Sequence, residues 1–281
     1  MLKNMRFHRF GAVCFLGMLT IAPQGKAQTA LTCQGEGGRV EFSCKTWTEI
    51  QSGIQSGLDS IIVPVGGAEQ SGPYIAVGKH NVRAQMLADR IAYGVGNTLV
   101  APVISYVPEG STSPRTSHMK FAGTLSVPPA VFEGVLKGAA ESLRVQGFRK
   151  IIFLGDHGGY QSYMERVAQE LNHSWRGQAF VLYLKDYYEV IPRQYADYLR
   201  SHGHASEVGM HAELSDTSLM LATDPSLVRL EKLRSASKPT ASDGVYGGDP
   251  RRATAELGQI GIDMQIRTAV AAIQSFNRSH P

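Results

Sequence analysis

The chain has 281 residues, with 28 basic and 24 acidic side chains and a formal net charge of +4. Four of the basic residues lie in residues 1–27, which hold no acidic residue, so 28 minus 4 leaves 24 basic against 24 acidic residues in the remainder. A near-neutral remainder argues against a nucleic-acid partner, which would need a basic face. It is also long enough to bury the core of one large α/β domain.

The first 27 residues have the pattern of a signal peptide. Their start is basic, an apolar run follows from Phe10 to Ala22, and small residues precede a cut after Ala27. The apolar run, roughly a dozen residues, is too short to cross a bilayer as a stable helix. An uncleaved membrane anchor is the alternative. We predict an exported protein, periplasmic or secreted, with no stable membrane span after processing.

Two cysteines, Cys33 and Cys44, remain after this processing. An exported location permits a disulfide between them, with two unpaired thiols as the alternative. Both precede the first core element, so neither is predicted to be catalytic. The predicted organisation is a signal peptide (1–27), an N-terminal extension with this disulfide (28–46) and one domain (47–281).

The rest of the chain alternates predicted strands and helices. The predicted strands are Ile61–Val65, Thr98–Val107, Ile151–Leu154 and Ala179–Leu184. The predicted helices are Asn81–Gly94, Pro128–Gln146, Gln161–Asn172, Ser215–Leu221 and Thr254–Asn277. A polar loop, Pro108–Lys120, follows the second strand. Strands separated by helices of this length indicate βαβ units and a mostly parallel sheet that is covered on both faces.

Glycine-rich segments with acidic and histidine side chains follow two of these strands. Glu69 and His80 come after the first strand, and His157 follows Ile151–Leu154 almost directly. In open α/β sheets, ligands bind beyond the carboxyl ends of the strands. Carboxylate oxygen and imidazole nitrogen suit zinc or another divalent transition metal. A metal site at this edge is one interpretation, and loop or capping roles for the histidines are the other.

Five segments, in order along the chain, resemble motifs of the creatininase (creatinine amidohydrolase) family. They are PVGGAEQSGP (64–73) with GKH (78–80), HMKFAGT (118–124), GDHGGY (155–160), HAELSDTS (211–218) and GVYGGDP (244–250) with ATAELG (253–258). The resemblance extends roughly from Trp47 to Phe276. It implies a three-layer α/β/α sandwich with a mostly parallel central sheet. It also implies metal-dependent hydrolysis of a non-peptide C–N bond, in an amide or cyclic amide, at a site that usually holds two ions.

Carried over position by position, the resemblance retains Glu69 and His157 as metal ligands. A family histidine falls on Ser71, and the aspartate that bridges the two ions falls on His80. Serine is a poor zinc ligand, and a neutral imidazole offers one lone pair to one ion. We therefore predict a mononuclear centre held by Glu69, His80 and His157, with Asp216 as a fourth ligand or a neighbour of the ligands. Zinc is the expected ion, and manganese or iron would suit the same set.

The resemblance also implies roles around the ion. His211 is placed to carry a proton to the departing nitrogen, a task that suits an imidazole titrating near neutrality. Glu213 could serve instead, and a structural histidine bonded to a carbonyl is the alternative. The predicted substrate contacts are His118, Ser71, Gly158 and Gly159.

The sequence thus predicts an exported metal-dependent amidohydrolase that acts on a small molecule through metal-activated water. Two alternatives stay open. The altered ligands would also suit a catalytically inactive metal- or ligand-binding protein of the same fold, and some family relatives trim peptides. Creatinine itself is not favoured, because the site motifs differ and an exported location does not suit a cytoplasmic catabolic step. Family members often assemble into homo-oligomers, and we carry that over as an expectation.

Overall fold

The structure, a computed structural model, describes Cys33 and residues 35–280. The predicted signal peptide, residues 1–27, lies outside the described residues. Cys33 and Cys44 form a disulfide, with their Cα atoms 5.2 Å apart. No helix in the described part of the chain is both long enough and apolar enough to cross a membrane.

The central sheet has four strands, all parallel, in the order β2-β1-β3-β4. They are β1 (Ser60–Val65), β2 (Thr98–Val100), β3 (Lys150–Gly155) and β4 (Phe180–Tyr183). In the register of the sheet, Ser60 lies between Thr98 and Lys150. Every residue of β1 and β3 is buried, which explains why these central strands are nearly continuous apolar runs in the sequence.

Ten α-helices lie within residues 35–280. They are α1 (Gly35–Val40), α2 (Trp47–Gln55), α3 (Lys79–Val95), α4 (Pro129–Gln146), α5 (Gln161–Trp175), α6 (Lys185–Glu189), α7 (Ala196–Leu199), α8 (Leu214–Thr223), α9 (Leu230–Ser235) and α10 (Ala255–Ser279). Two π-helical segments adjoin α7, Ile191–Tyr195 and Arg200–His204. Short 3₁₀ turns are Phe42–Cys44, Ser117–Lys120, Gly158–Tyr160, Pro225–Leu227, Ala241–Asp243 and Pro250–Arg252.

Helices cover both faces of the sheet. Ile61 and Val63 of β1 pack in one apolar cluster with residues of α4 and α5, such as Leu136. Ile62, which points the other way, packs in a second cluster with residues of α3, α8 and α10, such as Leu87. Alternate side chains of one strand therefore enter two cores. The observed parallel sheet, flanked by helices, confirms the predicted α/β fold class.

The second strand is shorter than its sequence pattern predicts. The regular pairing of the predicted strand Thr98–Val107 with β1 ends after Ala101, whose N–H donates to the Ile62 carbonyl oxygen over 2.8 Å, because one extra residue shifts the register before Ile104. It resumes once at Ile104, whose N–H donates to the Pro64 carbonyl oxygen over 3.0 Å. The chain then leaves the sheet at its carboxyl edge.

The strand order creates a topological switch point between β1 and β3. From β1 the chain passes to β2 on one side, and from β3 it passes to β4 on the other. Ligands of open α/β sheets bind where neighbouring strands diverge in this way. The segments that follow β1 and β3 carry Glu69 and His157, so the fold brings these two side chains to one place.

Candidate metal centre

Glu69 is a buried carboxylate whose two oxygens face different neighbours. Its Oε1 lies 2.7 Å from His80 Nε2 and 3.4 Å from Lys79 Nζ. Its Oε2 lies 3.1 Å from His157 Nε2 and 3.4 Å from His118 Nε2. Burial alone would raise the pKa of Glu69, but the positive charges of His157, His80 and Lys79 hold it well below its usual range. Glu69 is therefore ionised and is surrounded by nitrogen atoms.

Glu109 places a second buried carboxylate at this centre, and no motif in the sequence predicts it. Its Oε1 lies 3.3 Å from His157 Nδ1. A Cβ atom on Gly67, where φ is +140°, would lie 2.9 Å from the same oxygen, so glycine is needed for this approach. Burial and then the charge of Glu69 raise the pKa of Glu109 to about 9. This carboxyl group lacks the positive charge that would keep it ionised.

Four side chains form a group that could hold a metal ion. Glu69, Glu109, His118 and His157 each offer one ligand atom, and these atoms lie within 4.8 Å of one another. Three buried oxygens, Glu69 Oε2 and both of Glu109, have no hydrogen-bond partner among the described residues. Leaving such atoms unpartnered is costly, and a cation removes that cost. Two carboxylates and two imidazoles fit a divalent transition metal.

The turn after β3 fixes the ring of His157. The backbone N–H of Gly159 donates to His157 Nδ1 over 3.3 Å. Tyr160 holds the turn to β1, because its hydroxyl accepts from the His157 N–H (3.0 Å) and donates to the Val65 carbonyl oxygen (2.7 Å). A Cβ atom on Gly159 would lie 2.8 Å from His157 Cε1. A larger residue at Gly159 would therefore displace the imidazole.

Two other site histidines, His118 and His211, each have a sequence neighbour with a left-handed backbone conformation. Ser117 has φ 49° next to His118, and Ala212 has φ 55° next to His211. Such conformations are uncommon outside glycine and tend to persist at functional sites, where the surroundings hold them. Gln70 links the two rings: its side-chain Nε2 lies 3.1 Å from His118 Nδ1, and its backbone carbonyl oxygen lies 2.9 Å from His211 Nε2. The structure thus places His118 beside His211.

His80, predicted as a metal ligand, lies between two carboxylates. Its Nε2 is 2.7 Å from Glu69 Oε1, and its Nδ1 is 2.6 Å from Asp156 Oδ2. Burial alone would lower the pKa of His80, but the Glu69 charge and the Asp156 hydrogen bond raise it overall. Because carboxylates only accept, both ring nitrogens donate, and the imidazolium has no lone pair for an ion. His80 thus lies beside the ligand group, and its role as a ligand stays a prediction.

Asp216 was also predicted as a metal ligand and lies outside the group of four. Its carboxylate is bonded to the cationic side chains of Lys79 and Arg83. Its Oδ2 accepts from Lys79 Nζ and from the Ala212 backbone N–H, each over 2.9 Å, and its Oδ1 lies 3.4 Å from Arg83 Nη1. Burial alone would raise the pKa of Asp216, but Lys79 and Arg83 hold it well below its usual range. Asp216 is therefore already neutralised by side chains of α3, and sequence patterns alone do not predict that pairing.

His211 faces the same carboxylates from the opposite side. Its Nε2 donates to the Gln70 carbonyl oxygen over 2.9 Å, and its Nδ1 lies 3.7 Å from Glu69 Oε1. Burial first, and then the charge of Lys79, lower the pKa of His211 to about 4. His211 is thus neutral near neutral pH, with a lone pair on Nδ1.

The remaining predicted site residues lie around this centre, and their roles stay predictions. Glu213 is the N-cap of α8, where its carboxylate accepts from the Ser215 N–H over 2.8 Å. Ser71 is buried, and its hydroxyl has no hydrogen-bond partner among the described residues. Gly158 packs against Tyr188, whose hydroxyl oxygen would lie 2.4 Å from an added Cβ atom.

A cleft of about 600 Å³ opens onto the candidate metal centre. Glu109, His118 and His157 contribute to its walls. The other lining residues are prolines, glycines and uncharged side chains, including the hydroxyl-bearing Ser111 and Ser126. No lysine or arginine of the described residues lines this cleft. Apart from the candidate ligands Glu109, His118 and His157, the lining residues that the structure describes therefore carry no charged side chain.

Sequence comparison finds curated relatives with different activities. A mycofactocin precursor peptide peptidase from Mycolicibacterium smegmatis is 25% identical over 230 residues, covering 78% of this chain and 86% of that protein. A creatinine amidohydrolase from Pseudomonas putida is 26% identical over 197 residues, covering 67% of this chain and 73% of that protein.

Structure comparison finds creatininases of similar fold. A crystal structure of creatinine amidohydrolase (creatininase) matches with a TM-score of 0.69 at 22% identity, over 86% of this chain and 98% of that one. A structure named Creatininase Mn matches with a TM-score of 0.69 at 21% identity, over 86% of this chain and 99% of that one. At such identities these structures show the fold alone.

A sequence model of one family matches most of the chain. The family is described as Creatininase: Creatinine amidohydrolase, and the match covers residues 44–273. This range contains the whole parallel sheet and all the residues of the candidate metal centre. The chain belongs to the creatininase family.

Proposed function

We propose that the protein is a metal-dependent hydrolase that cleaves a non-peptide C–N bond, in an amide or cyclic amide, of a small molecule. Membership of the creatininase family supports the hydrolase class. The observation that carries the metal dependence is the set of three buried carboxylate oxygens without hydrogen-bond partners, which lie against two imidazoles.

Glu69, Glu109, His118 and His157 would hold the ion. This set keeps Glu69 and His157, which the sequence predicts as ligands. It has Glu109 and His118 in place of His80 and Asp216. Zinc is the ion we propose, and manganese or iron would accept the same nitrogen and oxygen donors. When bound, such an ion polarises a carbonyl group and lowers the pKa of water.

The neighbouring residues would bind, orient and carry protons. His211 is neutral near neutral pH and has a lone pair on Nδ1, so it can accept a proton and later return it to the departing nitrogen. His80 and Lys79 hold Glu69 Oε1, which leaves Oε2 directed towards the ligand group. The cleft, which no lysine or arginine of the described residues lines, would receive a neutral polar substrate.

Metal analysis combined with an amide-hydrolysis assay tests this proposal. We expect a chelator to abolish hydrolysis and added Zn²⁺ to restore it. We expect His157→Ala to lose metal and activity, and His173→Ala, which removes an exposed histidine of α5, to keep both. A metal-free protein that stays folded and active would contradict the proposal. Metal binding without turnover of any amide or peptide would favour the non-catalytic alternative.

Peptide trimming is a second candidate function. The mycofactocin precursor peptide peptidase aligns with a larger share of this chain than the creatinine amidohydrolase does. The cleft of about 600 Å³ also falls in the usual range for drug-sized ligands and can hold more than a single small ring. Comparing kcat/KM for cyclic amides and for short peptides separates the two candidates. A preference for peptides would replace the small-molecule proposal.

We further propose that the protein is exported. The pattern of residues 1–27 supports export, and so does the Cys33–Cys44 disulfide, because such bonds persist in oxidising compartments. N-terminal sequencing of the mature protein after cell fractionation should show a chain that begins at Gln28 outside the cytoplasm. A full-length chain in the cytoplasm would contradict export.

Gel filtration of the mature protein tests the expected homo-oligomer.

A further inference from the structure

We propose that the ammonium group of Lys79 takes the place of a second metal ion, so that the centre holds one ion only. This inference rests on the proposed function, because it concerns the same site. It assigns Lys79 as a positioning residue: the amine holds one oxygen of Glu69 and leaves the other for the ion.

The two oxygens of Glu69 divide the site into two sides. On one side, Oε1 lies 2.7 Å from His80 Nε2 and 3.4 Å from Lys79 Nζ. On the other side, Oε2 lies near His157 and His118 and has no hydrogen-bond partner among the described residues. The amine of Lys79 therefore lies on the Oε1 side, and the Oε2 side faces the His157 and His118 imidazoles.

The atoms around Lys79 Nζ are of the kind that otherwise bind a metal. Asp216 Oδ2 lies 2.9 Å from the amine, and Glu69 Oε1 lies 3.4 Å from it. His211 Nδ1 lies 3.7 Å from that Glu69 oxygen and 4.0 Å from that Asp216 oxygen. Carboxylate oxygen and imidazole nitrogen are both zinc ligands. In this chain the amine of α3 lies among them.

The burial of Lys79 explains why an ion does not join it on this side. The Lys79 side chain has no exposed surface, and Arg83 brings a second positive charge within 3.4 Å of Asp216. Repulsion between like charges is strong away from water, because little solvent is present to screen it. A divalent ion at Glu69 Oε1 and Asp216 would therefore have to displace the lysine side chain.

Removing that side chain should create the second site. Lys79→Ala would empty the space occupied by the amine and leave the Glu69, Asp216 and His211 ligand atoms facing each other. We expect this variant to bind two ions per chain, and the wild-type protein to bind one. The number of bound ions is a readout that a purely structural role of Lys79 would not change.

Equilibrium dialysis against Zn²⁺ followed by elemental mass spectrometry measures these numbers. Zinc bound by the double variant His118→Ala/His157→Ala gives the background of adventitious surface sites, which is subtracted. Lys150→Ala is the matched control, because it removes a nearly buried lysine that pairs with Asp59 at 3.1 Å outside the site. We expect this control to bind one ion, like the wild-type protein.

Each outcome decides the inference. Two ions in the wild-type protein, or one ion in a folded Lys79→Ala variant, would overturn the role of Lys79 and leave the metal-dependent hydrolase intact. No ion in folded wild-type protein would overturn the proposed function and the inference with it. If Lys79→Ala does not fold, as judged by circular dichroism, titration of the wild-type protein with Co²⁺ still decides. An endpoint at one equivalent supports the inference, and an endpoint at two overturns it.

Discussion

Most buried charged residues at the centre are paired, and Glu109 is the exception that points to an ion. Asp156, for example, accepts from Tyr187 over 2.6 Å, from Arg83 over 3.0 Å and from His80 over 2.6 Å. Glu109 has no such partner in the part of the chain that the structure describes, and its pKa is raised to about 9. A buried carboxyl group without a paired charge favours its neutral form, and a cation beside Glu109 would pair it as the other charges are paired.

Replacing Glu109 by glutamine tests this interpretation. Glutamine keeps the shape of the protonated acid but cannot supply a negative ligand. We expect Glu109→Gln to weaken Zn²⁺ binding by at least about tenfold, a typical effect of disturbing a metal site. The thermal stability of the metal-free protein should stay the same or rise, because the substitution removes a buried acid that has no hydrogen-bond partner among the described residues. Competition with a chromophoric chelator measures the affinity, and thermal unfolding measures the stability.

Glu133→Gln is the matched control for this prediction. Glu133 pairs with Arg166 at the surface of α4 and α5, away from the centre. We expect its amide to leave Zn²⁺ affinity unchanged. Equal affinity in Glu109→Gln and Glu133→Gln would show that Glu109 is not a ligand.

At the scale of residues, the sequence could predict Glu69 and His157 but not Glu109 or Lys79. The first two lie in motifs and directly follow buried strands, so local sequence marks them. Glu109 lies in the polar loop Pro108–Lys120, and Lys79 is the first residue of α3. Their importance depends on burial and on which charges they meet, and packing decides both. The sequence signal that could have pointed to Glu109 was its position after a predicted strand, because parallel strands end at one shared carboxyl edge, where ligands bind.

At the scale of elements, the turn after β3 and the helix α4 give a matched pair of glycine substitutions. A Cβ atom on Gly159 would meet His157 Cε1 at 2.8 Å, whereas one on Gly138 of α4 would meet nothing within 4 Å. We expect Gly159→Ala to weaken Zn²⁺ binding by about tenfold, because the ligand ring moves. We expect Gly138→Ala to stabilise the fold by about 0.5–1 kcal/mol, because alanine favours helix. Chelator competition and chemical denaturation measure the two effects. Unchanged Zn²⁺ affinity in Gly159→Ala would mean that the turn does not position His157 for metal.

Helix α3 also carries a pH-sensitive group far from the centre. Burial, and then the charge of Glu41, raise the pKa of Asp89 to about 7. The folded state therefore holds this proton more tightly than the unfolded state does, so Asp89 lowers stability as pH rises from about 4 to 7. The loss is at most about 4 kcal/mol, and solvent screening reduces it. We expect Asp89→Asn to raise the free energy of unfolding at pH 8 and to change it little at pH 4.

Asp263→Asn is the control for this pH effect. Asp263 accepts from Gln259 four residues earlier, as Asp89 does from Gln85, but its hydrogen bond is exposed. We expect Asp263→Asn to show no such pH dependence. Urea unfolding at both pH values makes the comparison. Parallel stability curves for wild type and Asp89→Asn would contradict the raised pKa.

Element positions were largely predictable, and element ends were not. Helical periodicity predicted a helix from Asn81, but α3 begins at Lys79, which places Lys79 and His80 on its first turn. The extended pattern Thr98–Val107 predicted a long strand, but β2 ends at Val100 because its register with β1 shifts by one residue before Ile104. In both cases the end of an element depends on hydrogen bonds to other segments. Those bonds are not visible in the local sequence.

At the scale of the whole molecule, alternating strands and helices were enough to predict a parallel α/β sheet. The order β2-β1-β3-β4 was not predictable, because it depends on which strand edges pair across the chain. That order matters for function, since it sets the ends of β1 and β3 side by side. The ligand group draws on three loops that follow β1, β2 and β3.

The location of bound zinc tests the central claim most directly. A crystal structure of the Zn²⁺-loaded protein, with anomalous scattering at the zinc edge, would show each ion and its ligands. We predict one zinc ion per chain, coordinated by Glu69, Glu109, His118 and His157. An ion coordinated by Glu69, His80 and Asp216, or the absence of any ion from protein that hydrolyses its substrate, would contradict the account.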